Sequence, residues 1–284
     1  MDLKAWECRF GGVRFNATDV ATAAYSLFVL LFVLLFRARI PGASLHALFN
    51  ADVVLLVFLV CLLKEKWNGF RIVWLWYPMA LYAFFYYQSG LLNRVLVPHF
   101  LDDPFLAADV RIFGEFPGFL LHRAFPGAVA NEVFHFAYFC YYLLIPFAGI
   151  LLYRKSHALF ARYLLEVSVL FYACYAIFIF LPVEGPLHLR GGFFQGSGLF
   201  ERVVDFLYRN GENPGGAFPS SHVAVAWLVA WWSARQLPGV SLALIPLVAL
   251  LSLATVYGMF HYGVDVLAGM AMAGGAILLY RSRP

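Results

Sequence analysis

Long apolar runs separated by shorter polar ones dominate the chain, and most have the length that a helix needs to cross hydrocarbon, about twenty residues. Eight can be placed, at roughly 18–36, 45–63, 72–92, 131–153, 159–183, 219–236, 240–258 and 261–280. The pattern predicts an all-α fold, a polytopic membrane helical bundle of about eight transmembrane helices. Two polar interruptions are longer than a connection requires, 93–130 and 184–218, and both are rich in Gly, Pro, Phe and charge. The first contains DDPFLAADVRIFGEFPGFLLHRAFPG, a mixture of acids, prolines and large apolar residues that suits an interfacial or re-entrant segment. In the second, FERVVDFLYRN spaces Phe200, Val203, Val204 and Leu207 helically against charged residues, which predicts a short amphipathic helix at the membrane surface.

Composition narrows the class. With 63% hydrophobic and only 13% charged residues, the chain has too little polar surface to coat a soluble globule. Its net charge of +4 comes from dispersed Lys and Arg, so it carries no nucleic-acid footprint. The stretch MDLKAWECRFGGVRFNATD precedes the first apolar run and offers no small-residue cleavage site, so that run reads as a retained membrane helix. Cys8, Cys61, Cys140 and Cys174 have neither metal nor disulfide spacing and read as small hydrophobes. The stretch YAFFYY, Tyr82 to Tyr87, and the pair Trp74 and Trp76 read as interfacial belt and packing residues. Placing the N-terminus inside gives the cytoplasmic face the larger share of the 20 Lys and Arg. Both chain ends are then cytoplasmic. The segment 184–218 and the helix starts at Pro219 and His261 fall together on the non-cytoplasmic face, whether periplasmic, extracellular or luminal.

Two histidines stand out against this apolar background, His222 in GGAFPSSHVAVAW and His261 in FHYGVDVLAG. Ionisable residues at membrane depth face a cavity or a partner, and Asp265, four residues after His261, supplies a partner one helical turn away. The segment from Gly215 to His222 reads as a loop entering a helix, where free amides beside the hydroxyls of Ser220 and Ser221 make an anion site suited to phosphate. His222 is then placed to donate a proton to a leaving oxygen, and His261 to offer a neutral imidazole nitrogen as nucleophile, oriented by Asp265. Each piece also has a plainer explanation. Pro-Ser-Ser before an apolar run can be a helix start alone, and His-x-x-x-Asp can be an interfacial hydrogen bond. Their shared face and depth favour chemistry.

FPSSH followed two helices later by HYGVD resembles the second and third signature blocks of the type 2 phosphatidic acid phosphatase superfamily, membrane enzymes acting on lipid phosphates. LPVEGP, Leu181 to Pro186, is similar to the region of that family's first block. The resemblance covers about 95–280 and implies a six-helix phosphatase-like core. It implies that His261 forms a phosphohistidine, that Asp265 orients it and that His222 is the general acid. It further implies that Ser220, Ser221 and Gly216 hold the phosphoryl oxygens. The chain departs from the common pattern in two places. Thr255 stands where such members carry an Arg six residues before the nucleophile. After Gly185-Pro186, Leu187-His188-Leu189-Arg190 replaces a block containing Lys and Arg. Arg190 is the nearest substitute cation for phosphate, with Arg202 and Arg209 further candidates. The inositol phosphorylceramide synthase and sphingomyelin synthase branch also lacks the preceding Arg.

The remaining polar residues carry less. Glu132 and His135 can line a cavity or pair within the bundle, and the pairing is the simpler reading. Asp102, Asp103 and Asp109 have no metal-binding spacing, and no metal or other cofactor is expected. A bis-histidine haem would leave Ser-Ser-His and His-x-x-x-Asp unexplained. The expected organisation is N-terminal transmembrane helices over 1–92 and a catalytic membrane domain over 93–284. The expected function is hydrolysis of a lipid phosphate ester through a phosphohistidine. The alternatives are headgroup transfer to an alcohol, and a non-catalytic lipid binder or transporter. The expected partners are a lipid phosphate and the membrane.

Overall fold

A computed structural model of the chain describes residues 7–10, 12–67, 69–196, 198–211 and 214–281. A short antiparallel hairpin, β1 (Glu7–Phe10) with β2 (Val13–Asn16), leads into the bundle. Eight long helices then lie where the eight apolar runs are: α1 (Ala17–Leu35), α2 (Ala43–Lys66), α3 (Phe70–Leu92), α6 (Ala128–Lys155), α7 (His157–Phe180), α10 (Ser221–Gln236), α11 (Pro238–Tyr257) and α12 (Gly263–Arg281). Six of these are long and apolar enough to cross a membrane. The others are α10, which has 16 residues, and α3, whose Trp, Tyr and Gln residues dilute its hydropathy. The two polar interruptions fold into short helices, α4 (Asp102–Phe113) and α5 (Pro117–Ala124) in the first, α8 (Leu187–Arg190) and α9 (Leu199–Gly211) in the second. The predicted apolar face of α9 is its packed face, with Val204 fully buried and Arg202 and Arg209 exposed, while buried Glu201 and exposed Phe206 depart from the simple pattern.

Local sequence sets several helix starts. Asn16 and Asp19 form a reciprocal capping box at α1, each side chain accepting the other's backbone N–H at 2.8 Å. The same Asp19 carboxylate accepts the Trp74 indole N–H and the Tyr77 hydroxyl, both at 2.9 Å, and so ties α1 to α3. Ser156 and Ser220 cap α7 and α10 through their side chains. In an apolar solvent such polar ties hold helices together, because hydrocarbon offers these groups no other partner.

Helix α7 is the hub. It packs against α1, α3, α6, α10 and α12, and 72% of its apolar stretch is buried, against 28% for α2. Buried apolar residues of α1–α3, α6, α7, α10 and α11 form one continuous core. A second core, built around Tyr138, Tyr257, Phe260 and Tyr262, lies under α5, α8 and α9 and surrounds the turn that carries His261. The outward faces remain apolar, with Leu31, Leu242 and Leu278 more than half exposed, as expected for a surface in contact with lipid.

Candidate active site

His261 lies in the turn between α11 and α12, two residues before the first residue of α12. Its position follows from how α11 ends. Met259 adopts a left-handed conformation, φ 59°, and the amides of Met259 and Phe260 fold back onto the carbonyls of Val256 and Thr255, both at 3.0 Å. That is a Schellman cap with Met in the place usually given to Gly. The His261 amide joins the same Thr255 carbonyl at 3.1 Å. Thr255, standing where a cation is expected by resemblance, is wholly buried and donates its hydroxyl to the Ser252 carbonyl at 2.8 Å. It anchors the turn.

Carboxylates cap the start of α12. Asp265 Oδ2 accepts the Tyr262 amide at 2.8 Å, and Asp109 from α4 accepts the amides of Gly263 and Val264 at 2.7 and 2.8 Å. Burial pushes the Asp109 carboxyl above its ordinary pKa, while those two amides pull it back. Asp102 holds the neighbouring loop by accepting the amides of Glu184 and Gly185 at 3.1 and 2.8 Å. Asp102 and Asp109 of DDPFLAAD are therefore backbone anchors. Among the described residues, no three His, Cys, Asp or Glu side chains form a group that could hold a metal ion.

The loop before α10 is zipped to the end of α7. The Val183 amide donates to the Gly215 carbonyl at 3.3 Å, and the Ala217 amide donates to the Val183 carbonyl at 2.8 Å, with Gly216 between them. Asn93 steadies the same loop by donating to the Pro214 carbonyl at 2.6 Å. Gly185, at φ 88°, lies so close to the turn that a Cβ there would come within 2.5 Å of the Phe260 carbonyl oxygen. The Ser220 amide donates to the Asp265 carbonyl at 3.0 Å, which fastens the start of α10 to the first turn of α12. Gly269 permits this crossing, since a Cβ there would meet the Ser220 carbonyl oxygen at 2.5 Å.

These contacts set the imidazoles 5.6 Å apart, ring centre to ring centre. His261 Nδ1 lies 2.9 Å from the Ala217 carbonyl and 3.5 Å from Asp265 Oδ2. A carbonyl only accepts, so Nδ1 carries the hydrogen and a neutral ring keeps its lone pair on Nε2. The nearer partner is thus a main-chain atom, with Asp265 second. Asp265 meets the histidine by folding back from the first turn of α12 rather than by sharing a helix face with it. His222, the second residue of α10, contacts the Tyr138 hydroxyl through Nε2 at 3.2 Å and packs on Tyr141, while its buried Nδ1 has no partner among the described residues.

Ser220 is spent on capping, its Oγ accepting the Val223 amide at 3.3 Å. Ser221 is buried beside His222 in the first turn of α10. Arg190 lies nearby, but its donors are engaged. Nε and Nη2 reach Asp205 at 3.2 and 2.5 Å, Nη1 reaches the Gly258 carbonyl at 2.5 Å, and Nη2 also meets His135 Nε2 at 3.1 Å. Its guanidinium covers one side of the Phe260 ring at 4.4 Å, and Tyr138 stacks on that ring at the same centre-to-centre distance. Glu132 caps α9 by accepting the Phe200 and Glu201 amides, and His135 serves Arg190, so both act within the bundle. The sequence points to neither Tyr138 nor the Ala217 carbonyl, and it suggests Asp102 and Asp109 only as metal ligands, not as the backbone anchors they are. A tyrosine inside an apolar run and a main-chain atom give no pattern to read.

The family model described as the PAP2 superfamily matches residues 104–279. No curated protein and no solved structure matches the chain. Six membrane-length apolar helices together with that match define an integral membrane protein of the phosphatase-type phosphoesterase class. The chain belongs to the PAP2 superfamily.

Proposed function

We propose that this protein hydrolyses lipid phosphate esters on the non-cytoplasmic face of its membrane, using a phosphohistidine intermediate on His261. The observation that carries the reading is the 2.9 Å contact of His261 Nδ1 with the Ala217 carbonyl, beside a second imidazole 5.6 Å away. It leaves the lone pair of Nε2 for phosphorus. The N–P bond forms as the P–O bond to the lipid breaks, and the leaving oxygen takes a proton from protonated His222. Neutral His222 then takes a proton from water, whose oxygen attacks phosphorus. The N–P bond breaks, its electron pair returns to Nε2, and inorganic phosphate leaves.

The first turn of α10 suits the phosphoryl oxygens. Ser220 Oγ engages the Val223 amide and the Ser220 carbonyl engages that of Ala224, which leaves the amides of Ser221 and His222 available to an anion at a helix N-terminus. Ser220, Ser221 and Gly216 shape that pocket, and Asp265 stabilises charge that develops on His261. Arg190 supports the site from behind Phe260, with its guanidinium held by Asp205. The phosphatase-like unit over 93–284 carries the chemistry, and α1 and α3 from the helices over 1–92 pack against its helix α7.

The test uses the purified full-length protein with a panel of lipid phosphates. Phosphate release by wild type is expected to fall by about 10³-fold or more in His261→Ala, and by about 10²-fold or more in His222→Ala. Acid-labile, base-stable phosphate should accumulate on wild type after rapid quenching. A new lipid product appearing only when an alcohol is added would replace hydrolysis with headgroup transfer. Equal inertness of wild type and His261→Ala across the panel would leave a lipid binder or transporter.

A further inference from the structure

A cavity of about 770 Å³ opens beside His222, between α3, α6, α7, α9 and the start of α10. Eight tyrosines line it, half of the 16 in the chain, together with Met79, Ala83, Phe84 and Phe171. Its innermost wall is Tyr138 and Tyr141, the two rings that flank His222. Its outer rim is exposed and aromatic, with Phe84 59%, Tyr87 58% and Tyr142 40% accessible on the apolar outer surface of α3 and α6. The cavity therefore runs from the membrane side of the bundle to the candidate general acid. One wall, α3, lies outside the residues 104–279 matched by the family model.

We infer that this cavity is the tail site and selects a lipid phosphate with a single long chain. The inference rests on the phosphoesterase reading of the histidine pair and adds the substrate's apolar part to it. The enclosed volume favours one chain over two. At roughly 30 Å³ for each small group, the share of one water molecule in the liquid, 770 Å³ holds about 25 non-hydrogen atoms. That is enough for one long chain with its phosphate linkage, and too little for a pair of long acyl chains on glycerol. The walls agree with a chain rather than a sugar or other polyol, because flat aromatic faces present apolar area at low entropic cost. At the inner end the Tyr138 hydroxyl meets His222. On this account α3 limits what can be hydrolysed, although it contributes nothing to the reaction itself.

Two measurements test the proposal. Wild type is expected to use hexadecyl phosphate with kcat/KM at least tenfold above dipalmitoyl phosphatidic acid. Ala83→Trp, which adds bulk at an exposed lining position, should raise KM for hexadecyl phosphate about tenfold with a much smaller change in kcat. Equal or better use of the two-chain lipid, or an unchanged KM in Ala83→Trp, overturns it. The second measurement needs no turnover: a single-chain phosphate carrying a diazirine at its tail should label peptides of α3 and α6 on irradiation, with less label in Ala83→Trp. Labelling without turnover would sink the phosphoesterase reading and keep the tail site. Turnover with labelling elsewhere, or neither labelling nor turnover, would sink the tail site.

Discussion

At the scale of single residues, the arrangement around His261 separates two jobs that one carboxylate often performs. Where an acid alone fixes the tautomer of a catalytic histidine, amide replacement can cost about 10⁴-fold in kcat. Here the Ala217 carbonyl at 2.9 Å holds the Nδ1 hydrogen, and Asp265 at 3.5 Å adds mainly charge. Asp265→Asn is therefore expected to lower kcat by about 10- to 100-fold, with its remaining oxygen still capping the Tyr262 amide. Steady-state kinetics decide the matter, and a 10⁴-fold loss would return the tautomer to Asp265. The sequence shows His261, Asp265 and His222 by their oddity in apolar surroundings. It cannot show Ala217, whose contribution is a peptide oxygen that every residue possesses. Nor does it show that Arg190 is held by Asp205, since a charge fifteen residues away has no periodic signature.

Helices and turns explain why the acids of the first polar interruption matter. Asp109 bonds two amides at the start of α12, the helix whose first turn holds Asp265 and, through it, the Ser220 amide. Asp109→Ala removes both bonds and is expected to cost about 1–2 kcal/mol of stability. It should also lower kcat/KM, because the turn bearing His261 loses its footing. Thermal unfolding in detergent beside kinetics checks both, and unchanged values of each would show that the cap is dispensable. The long helices were legible because twenty-residue apolar runs have few other uses, and α9 because its spacing is strongly one-sided. Helix ends were less so. The predicted run 261–280 begins at Gly263, since a turn with left-handed Met259 occupies the residues just before it. Hydropathy does not record a backbone turn of that kind.

Across the whole molecule, the proposal of a non-cytoplasmic site rests on the charge bias of the connections. A cysteine introduced at Gln195, in the segment after α8, should react with a membrane-impermeant maleimide added to intact cells or right-side-out vesicles. Reaction only after the membrane is opened would place the site on the cytoplasmic side. The architecture agrees with the sequence in outline, yet the central place of α7 was hidden, because every apolar run looks equally able to be central. What the runs cannot convey is which faces meet. The loop before α10 is attached to the end of that hub by the Val183 and Ala217 amides, so the acceptor for His261 is fastened to the helix that packs against five others. Heredity can reach it only indirectly. Every codon at position 217 writes the same carbonyl, so a saturation library there would be blind to tautomer and would report size alone.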